Sequence, residues 1–272
     1  MASTSVVSSV GDALAAAVTA LTAAGCESPR LDAELLLADA LGTDRAALIA
    51  DPAAGVSPAA ARRAMDHIRR RAAREPVAYL LGRRGFRRID LIVDGRVLIP
   101  RPETELLVEV ALELAAIGAH VHDVGTGSGA VALALADERP DLVVTGSDAS
   151  PGAIRVATEN ASRLGLAVDF ACARGLPAGQ YDLVVANLPY VSADELASLE
   201  PEVSRHEPRE ALVAGDDGLA EIRELVADAP RRTLLALEHA PGQAAAVRGL
   251  LAGAETRADL AGRERVTIGR VR

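Results

Sequence analysis

The chain has 272 residues, half of them hydrophobic but only 2% aromatic, and 38 acidic residues against 29 basic ones leave a formal charge of −9. That length allows one large domain or two smaller ones, the core must be built from Ala, Val, Leu and Ile, and the acidity argues against charge-driven binding to bare nucleic acid. No apolar run approaches the roughly 20 residues of a membrane-spanning helix; the Ala-rich start lacks a basic segment and carries Asp12, against a signal peptide; and Cys26 and Cys172 form neither a disulfide framework nor a metal pattern, so the expected localisation is the reducing cytoplasm.

Residues 1–82 predict a small helical bundle of about three to five helices. "VGDALAAAVTALTAAG" is rich in helix formers and stops at Gly25. "ESPRLDAELLLADALG" begins with Ser28 as N-cap and Pro29 at the first helical position, and stops at Gly42. "SPAAARRAMDHIRRRAAREP" repeats the device with Ser57 and Pro58 and ends before Pro76. Ten arginines crowd residues 62–88 against only Asp66 and Glu75. Arg62–Asp66 and Asp66–Arg70 at helical spacing favour a solvated face; the competing reading is a docking patch for an acidic protein or RNA. Residues 83–103 form a connector, where "FRRIDLIVDGRVLIP" is rich in β-formers and its central Asp94-Gly95 signals a hairpin.

From residue 104 to 272 the texture alternates. Helix "ETELLVEVALELAAIG" leads to strand "AHVHDV", helix "GAVALALADERP" to "DLVVTGSD", and helix "SPGAIRVATENASRLG" to "AVDFACA"; "YDLVVAN" is the next strand. Helix "GLAEIRELVADA" and strand "RTLLALEH" follow, and "AETRADLAGRERVTIGRVR" supplies two strands that close the sheet as an antiparallel hairpin. The class is α/β, with a doubly wound, largely parallel sheet covered on both faces.

Ligands of such sheets bind at the carboxyl ends of the strands, and three of those ends are informative. The first is "DVGTGSGA", Asp123 to Ala130, whose glycines Gly125, Gly127 and Gly129 alternate between a strand and a helix. Glycine admits positive φ and close approach of a ligand to the main chain. The spacing is not the dinucleotide G-x-G-x-x-G, and the chain contains no lysine, so no P-loop. The second is "GSDASPG", about 20 residues further on, where Asp148 is placed to accept hydrogen bonds from a ribose diol and Ser150 and Pro151 open the next helix. A glycine loop and a ribose carboxylate without phosphate-binding chemistry suit S-adenosylmethionine. The third is "NLPYV". The Asn187 side-chain oxygen and the Leu188 main-chain carbonyl make two acceptors for the N–H groups of a substrate amide, Pro189 fixes the turn, and Tyr190 walls the substrate plane. Positioning and desolvation then carry the catalysis.

With these motifs in place, nearly the whole chain resembles the HemK/PrmC family of protein-glutamine N-methyltransferases. "SPRLDAELLL" resembles the family's N-terminal helical domain, "REPVAYLLG" and "LIPRPETELLVE" its interdomain segment, and "DVGTGSGAVALALA" its cofactor loop. "HEPREALVAGDDGL", "LLALEH" and "RVTIGR" resemble its C-terminal half. The resemblance implies a Rossmann-like class I methyltransferase domain over 104–272, S-adenosylmethionine as cofactor, no metal, and methylation of the GGQ glutamine of class I peptide-chain release factors. It implies no stable nucleic-acid or membrane partner. The residues it implies at the cofactor are Gly125, Thr126, Gly127, Ser128, Gly129, Asp148 and Asn187, to which the chain's own pattern adds Asp123 at the start of the loop and Arg174 after the third strand; those it implies at the substrate glutamine are Asn187, Leu188, Pro189 and Tyr190. Two positions depart from the family. Its motif is usually N-P-P-Y, and Leu188 stands at the second place, which keeps the carbonyl but frees φ and adds an N–H. After the third strand the family usually has an acidic residue and an aromatic; this chain has Ala173 and Arg174, with Arg174 available to stack on adenine.

Three alternatives stay open at the level of sequence: a paralogue acting on another nitrogen in a small peptide or metabolite, an rRNA adenine methyltransferase, in whose family "NLPY" also occurs, and a module that binds cofactor without catalysis. The rRNA reading conflicts with the order of domains and with "RPETE" ahead of the loop. Among the remaining residues, His120 and His122 at most shape the rear of the site, Glu238 and His239 read as a satisfied buried pair with a cofactor-side role as the alternative, Tyr79 and Phe86 as interdomain packing, and Glu103 and Glu105 as orienting the substrate loop or the methionine amine, or as starting a helix.

Overall fold

The computed structural model describes residues 9–272; residues 1–8, part of the stretch weighed as a signal peptide, lie outside them. Two compact units emerge. One runs to Gly82 and also takes in Pro201–His206; the other comprises Arg83–Glu200 and Glu207–Arg272.

The first unit contains α1 (Val10–Ala23), α2 (Pro29–Leu41), α3 (Arg45–Ala50), α4 (Pro58–Ala72) and α5 (Val77–Leu81), with the short helix Pro201–His206, α9 in chain order. The Ser57 hydroxyl accepts from Ala60 N as the sequence predicts, whereas Ser28 stands at the N-cap position without a side-chain hydrogen bond. The α1, α2 and α4 core is small and aliphatic: Val10, Leu37, Leu48, Val56 and Ala60 cluster at one end, Leu21, Cys26 and Ala33 at the other. Asp66 pairs with Arg69 at 2.6 Å, on the exposed side that the arginine count leads one to expect. Buried Arg71 joins Asp32 (2.8 Å) to Glu202 (2.7 Å), and Arg74 holds the other Glu202 oxygen at 2.6 Å. Those two guanidinium contacts are why α9 clusters with helices more than a hundred residues earlier in the chain.

The second unit starts with a two-stranded hairpin, β1 (Arg83–Phe86) against β2 (Ile89–Ile92). Its turn is at Arg87-Arg88, and Asp94-Gly95 is not the hairpin. Arg87 takes positive φ (49°) because its side chain is tied to Glu138 and Glu109 and its N–H to Glu105. Asp94 instead closes a local turn, accepting from Arg96 N at 3.0 Å. Then come α6 (Glu105–Leu114), β3 (His120–Val124), α7 (Ala130–Glu138), β4 (Val143–Asp148), α8 (Pro151–Leu164), β5 (Asp169–Cys172) and β6 (Leu183–Ala186). The last part supplies α10 (Ala220–Asp228), β7 (Leu234–Glu238), α11 (Ala244–Leu250), β8 (Ala252–Ala258) and β9 (Glu264–Arg270).

The seven-stranded sheet has the order β5-β4-β3-β6-β7-β9-β8, parallel from β5 to β7 and antiparallel at β9 and β8. Strand β6, Leu-Val-Val-Ala, is buried along its whole length, as expected of a parallel strand covered on both faces. This is the class I methyltransferase architecture. The chain leaves β3 toward β4 and later returns beside β3 as β6, so a crevice opens between their carboxyl ends.

Candidate active site

The glycine loop after β3 is built from the main chain. Gly125, Gly127 and Gly129 all have positive φ (74°, 56° and 83°). The N–H groups of Gly125 and Thr126 both donate to Ser147 O at 2.9 Å, which clips the loop to β4. Asp123 is fully buried beneath it; its Oδ2 accepts from the Thr126 hydroxyl at 2.6 Å and from Ala132 N at 3.3 Å. Burial pushes the Asp123 carboxyl up to about 7, against the pull of those two bonds. Asn160 of α8, which the sequence reading passed over, is fully buried and braces the loop from behind: its Nδ2 donates to Ser128 O and to Ile92 O, each at 3.0 Å.

The expected cofactor residues therefore fall into two sets. Gly125, Gly127, Asp148, Arg174 and Asn187 line one cleft of about 180 Å³. Asp123, Thr126, Ser128 and Gly129 do not line it; they shape the loop. A Cβ on Gly129 would stand 2.9 Å from Leu133 and 3.2 Å from Phe170, so that glycine answers to packing. A Cβ on Gly127 would meet nothing within 4 Å, which leaves its backbone open to a ligand.

Asp148, at the end of β4, accepts from Gly127 N (2.9 Å) on one oxygen and from Ser150 N (2.8 Å) on the other. Each oxygen keeps a lone pair for a ligand hydroxyl. Partial burial raises its pKa, while the two N–H bonds oppose that shift. Arg174, after β5, does not lie free to stack. Its guanidinium is held by Glu221 and Glu224 of α10, both at 2.9 Å, at the exposed rim of the cleft.

The opposite wall of the cleft comes from Arg96–Leu98 and from Pro208, Glu210 and Ala211. One buried carboxylate joins these segments: Glu207 accepts from Ile99 N at 3.2 Å and pairs with Arg101.

The corner after β6 is built differently, from side chains gathered over long sequence distances. Asn187 Nδ2 donates to the Thr104 hydroxyl at 3.0 Å. Thr104 is the fourth residue of "RPETE", between the two glutamates singled out in the sequence; Glu105 itself accepts from Arg87 N at 3.2 Å. The Leu188 side chain is buried with Val124, Leu219 and Leu225 and presses on the loop: a Cβ on Gly125 would lie 2.8 Å from its Cδ2. The Tyr190 carbonyl accepts from Gln243 Nε2 at 3.0 Å, and the same amide nitrogen donates to Asp217 O at 3.1 Å. Gly218 lies so close to Tyr190 that a Cβ there would meet the carbonyl oxygen at 2.1 Å.

Behind the corner, Glu238 and His239 are both buried but are not a mutually satisfied pair. His239 is satisfied by Thr267 Oγ1 (2.7 Å) and Ala240 O (2.9 Å). Neither carboxylate oxygen of Glu238 completes a hydrogen bond. Burial pushes Glu238 up to about 7, opposed by the Thr104 hydroxyl, Arg265 and the Tyr190 hydroxyl that face it. Tyr190 in turn is pushed up by burial and by the Glu238 charge, so its phenol stays protonated. His120 and His122 bond to Thr145 (3.0 and 2.7 Å), and His122 also to Ser147 (3.0 Å). Burial pulls His122 down to about 4, so it is neutral.

Comparisons with known proteins show what the chain is similar to. Residues 12–82 match the family model "PrmC N-terminal domain", and residues 121–206 match "Methyltransferase domain". The release factor glutamine methyltransferase of Pseudomonas aeruginosa is 48% identical over 257 residues, covering 89% of this chain and 92% of that protein. Its namesake in Deinococcus radiodurans is 44% identical (93% and 95% covered), and that in Rhodospirillum rubrum 43% (93% and 82%). Among solved structures, the hMettl16 catalytic domain, crystallised with an RNA hairpin, superposes with a TM-score of 0.53 at 14% identity, covering 67% of this chain and 76% of that one; this is a likeness of fold.

Proposed function

The chain belongs to the release factor glutamine methyltransferase family, and from that premise we propose how its own residues do the chemistry. It is an S-adenosylmethionine-dependent enzyme that methylates the side-chain amide nitrogen of a release factor glutamine; the specific acceptor in this proposal is the GGQ glutamine of class I factors, and the working compartment the cytoplasm. No helix among the described residues is long and apolar enough to cross a membrane.

The cleft fits an adenosyl ligand without phosphates. Gly127 leaves its main chain open, Gly125 lets the main chain turn under Leu188, and Asp148 keeps one acceptor site on each oxygen for a ribose diol. When bound, S-adenosylmethionine supplies a methyl group on a positively charged sulfur. The protein's task is to hold an inert nitrogen in line with it. An amide nitrogen is a poor nucleophile because its lone pair is delocalised into the carbonyl. Asn187 Oδ1 and Leu188 O accept its two N–H groups, fix its plane and oppose that delocalisation, so the rate comes from positioning. Tyr190 walls the plane, and Pro189 holds the turn. No strong base is needed, because the proton becomes acidic once the nitrogen is alkylated.

One observation carries this reading: the Asn187 nitrogen is occupied by Thr104, which leaves its oxygen as the atom offered to the cleft that Asn187 lines. Incubation with methyl-labelled S-adenosylmethionine and a release factor tests it. Label on the intact factor, absent when the GGQ glutamine is changed to alanine, supports the assignment; label persisting on that variant redirects it to another acceptor.

A further inference from the structure

The Asn187 contact poses a question of direction. A carboxamide has a donor end and an acceptor end of nearly the same shape, and a hydroxyl can bond to either. The Thr104 oxygen accepts from Asn187 Nδ2, but nothing in that pair alone forbids the reverse, in which Thr104 donates to Asn187 Oδ1 and the NH₂ group turns toward the substrate. Two donors would then face each other where an amide must be gripped.

Glu238 resolves the ambiguity. It ends β7, is 1% exposed, and neither oxygen completes a hydrogen bond of full geometry, although the Thr104 and Tyr190 hydroxyls lie near enough to favour its ionised form. The hydroxyls that face it are those of Thr104 and Tyr190. Thr104, only 4% exposed, has a single proton to give. An ionised carboxylate only accepts, so it draws that proton, and the Thr104 lone pairs are left for Asn187. We propose that Glu238 is a positioning residue: through the Thr104 hydroxyl it fixes which way round the Asn187 carboxamide sits, so that an oxygen and not an NH₂ group meets the substrate nitrogen. This deepens the function proposed above and rests on it.

A buried carboxylate whose hydrogen bonds are incomplete is costly, and packing does not account for one retained a single hydroxyl away from Asn187. The same carboxylate faces the Tyr190 phenol, so both the grip and the wall of the substrate site lean on it. Its charge governs the relay. When protonated, Glu238 becomes a donor toward Thr104, the Thr104 proton turns to Asn187, and the amide flips. The charged and titratable groups around it are Arg265 on β9, which favours the ionised form, Glu103 in the turn before α6, which opposes it, and Tyr190 in the corner. Since burial carries Glu238 up to about 7, the ionised relay forms as pH rises through neutrality.

The test compares Glu238→Gln, Thr104→Val and Thr104→Ser, with release-factor methylation followed across pH and S-adenosylmethionine affinity measured separately. Misplacing a reacting group costs on the order of a hundredfold in rate. Glu238→Gln and Thr104→Val should therefore lower kcat by about ten- to a hundredfold and leave cofactor affinity in place. Glu238→Gln should also erase the rise of kcat through neutral pH, and Thr104→Ser should recover most of what Thr104→Val loses. Wild-type kcat in Thr104→Val, or an unchanged pH limb in folded Glu238→Gln, overturns the relay, and Thr104→Val decides the matter if Glu238→Gln does not fold. Should the wild-type protein bind cofactor yet label no release factor, the functional reading fails instead. The relay is then judged by the Asn187 side-chain amide resonance in NMR, which should titrate near neutrality in the wild type and be silent in Thr104→Val; an amide that does not titrate in the wild type sinks it.

Discussion

The loop after β3 and the corner after β6 stand side by side at the mouth of one crevice and are made by opposite means. The loop is main chain: three glycines at positive φ, clipped to β4 by two N–H bonds and braced by Asn160. The corner is side chain: Asn187 held by Thr104, 83 positions earlier, and Tyr190 held by Gln243, 53 positions later. A site for a cofactor can be built from backbone, because an adenosyl group needs room and a few acceptors. A site that must aim a nitrogen needs directional side-chain groups whose own orientation is set by others.

The largest expected effect separates the two. Asn187→Ala should cut methylation by about a thousandfold or more, at the top of what removal of one oriented polar group costs an active site, while cofactor affinity falls little because Gly125, Gly127 and Asp148 are untouched. Isothermal titration with S-adenosylmethionine beside a methylation assay checks both halves. A loss of only a few-fold would mean that the corner does not aim the amide.

The reverse experiment is Gly125→Ala. A side chain at φ 74° is strained by roughly 1–2 kcal/mol, and its Cβ would lie 2.8 Å from Leu188 Cδ2. Cofactor affinity should fall about tenfold or more as Leu188 is pushed aside, with lower thermal stability. If kcat at saturating cofactor falls further than affinity does, the two regions are one mechanical unit and the contrast above is too sharp.

Arg174→Ala probes the rim. An exposed guanidinium paired with Glu221 and Glu224 contributes about 0–1 kcal/mol, so KM for the cofactor should change by no more than about fivefold and the change should shrink with added salt. A larger, salt-independent change would show the guanidinium bonded to the ligand itself.

The same contrast explains what could be seen in advance. Strand–helix alternation and the glycine loop are local patterns, so the sheet, its closing hairpin and Gly125, Gly127 and Asp148 were legible from composition and spacing. The "RPETE" segment drew attention to its two carboxylates, yet the residue that touches Asn187 is the threonine between them. Only the question of what would accept a bond from the Asn187 amide could have found it. Glu238 was legible as a strand-end carboxylate but not as one with incomplete hydrogen bonds, since that depends on Thr104, Arg265 and Tyr190 arriving from separate elements. Helix α9 was missed because six residues give no periodicity, and its place follows from Glu202 meeting Arg71 and Arg74. The hairpin turn was misplaced because Asp94-Gly95 is the stronger local signal, while Arg87 is held at positive φ by Glu138 and Glu109 of later helices.

Leu188 is where loop and corner touch, and Leu188→Pro should have the smallest effect on rate. The atom it offers to a substrate is its carbonyl, which proline keeps, so kcat should change by less than about twofold if positioning of that oxygen is what matters. Stability should respond more. The leucine side chain is 8% exposed and packs with Val124, Leu219 and Leu225, and proline replaces that branched chain with a smaller ring, at a cost of about 1–3 kcal/mol set by how far the site collapses. Thermal denaturation with and without S-adenosylmethionine, beside the methylation assay, separates the two outcomes. A stable variant with lost activity would mean that the leucine side chain, and not only its carbonyl, shapes the acceptor's seat.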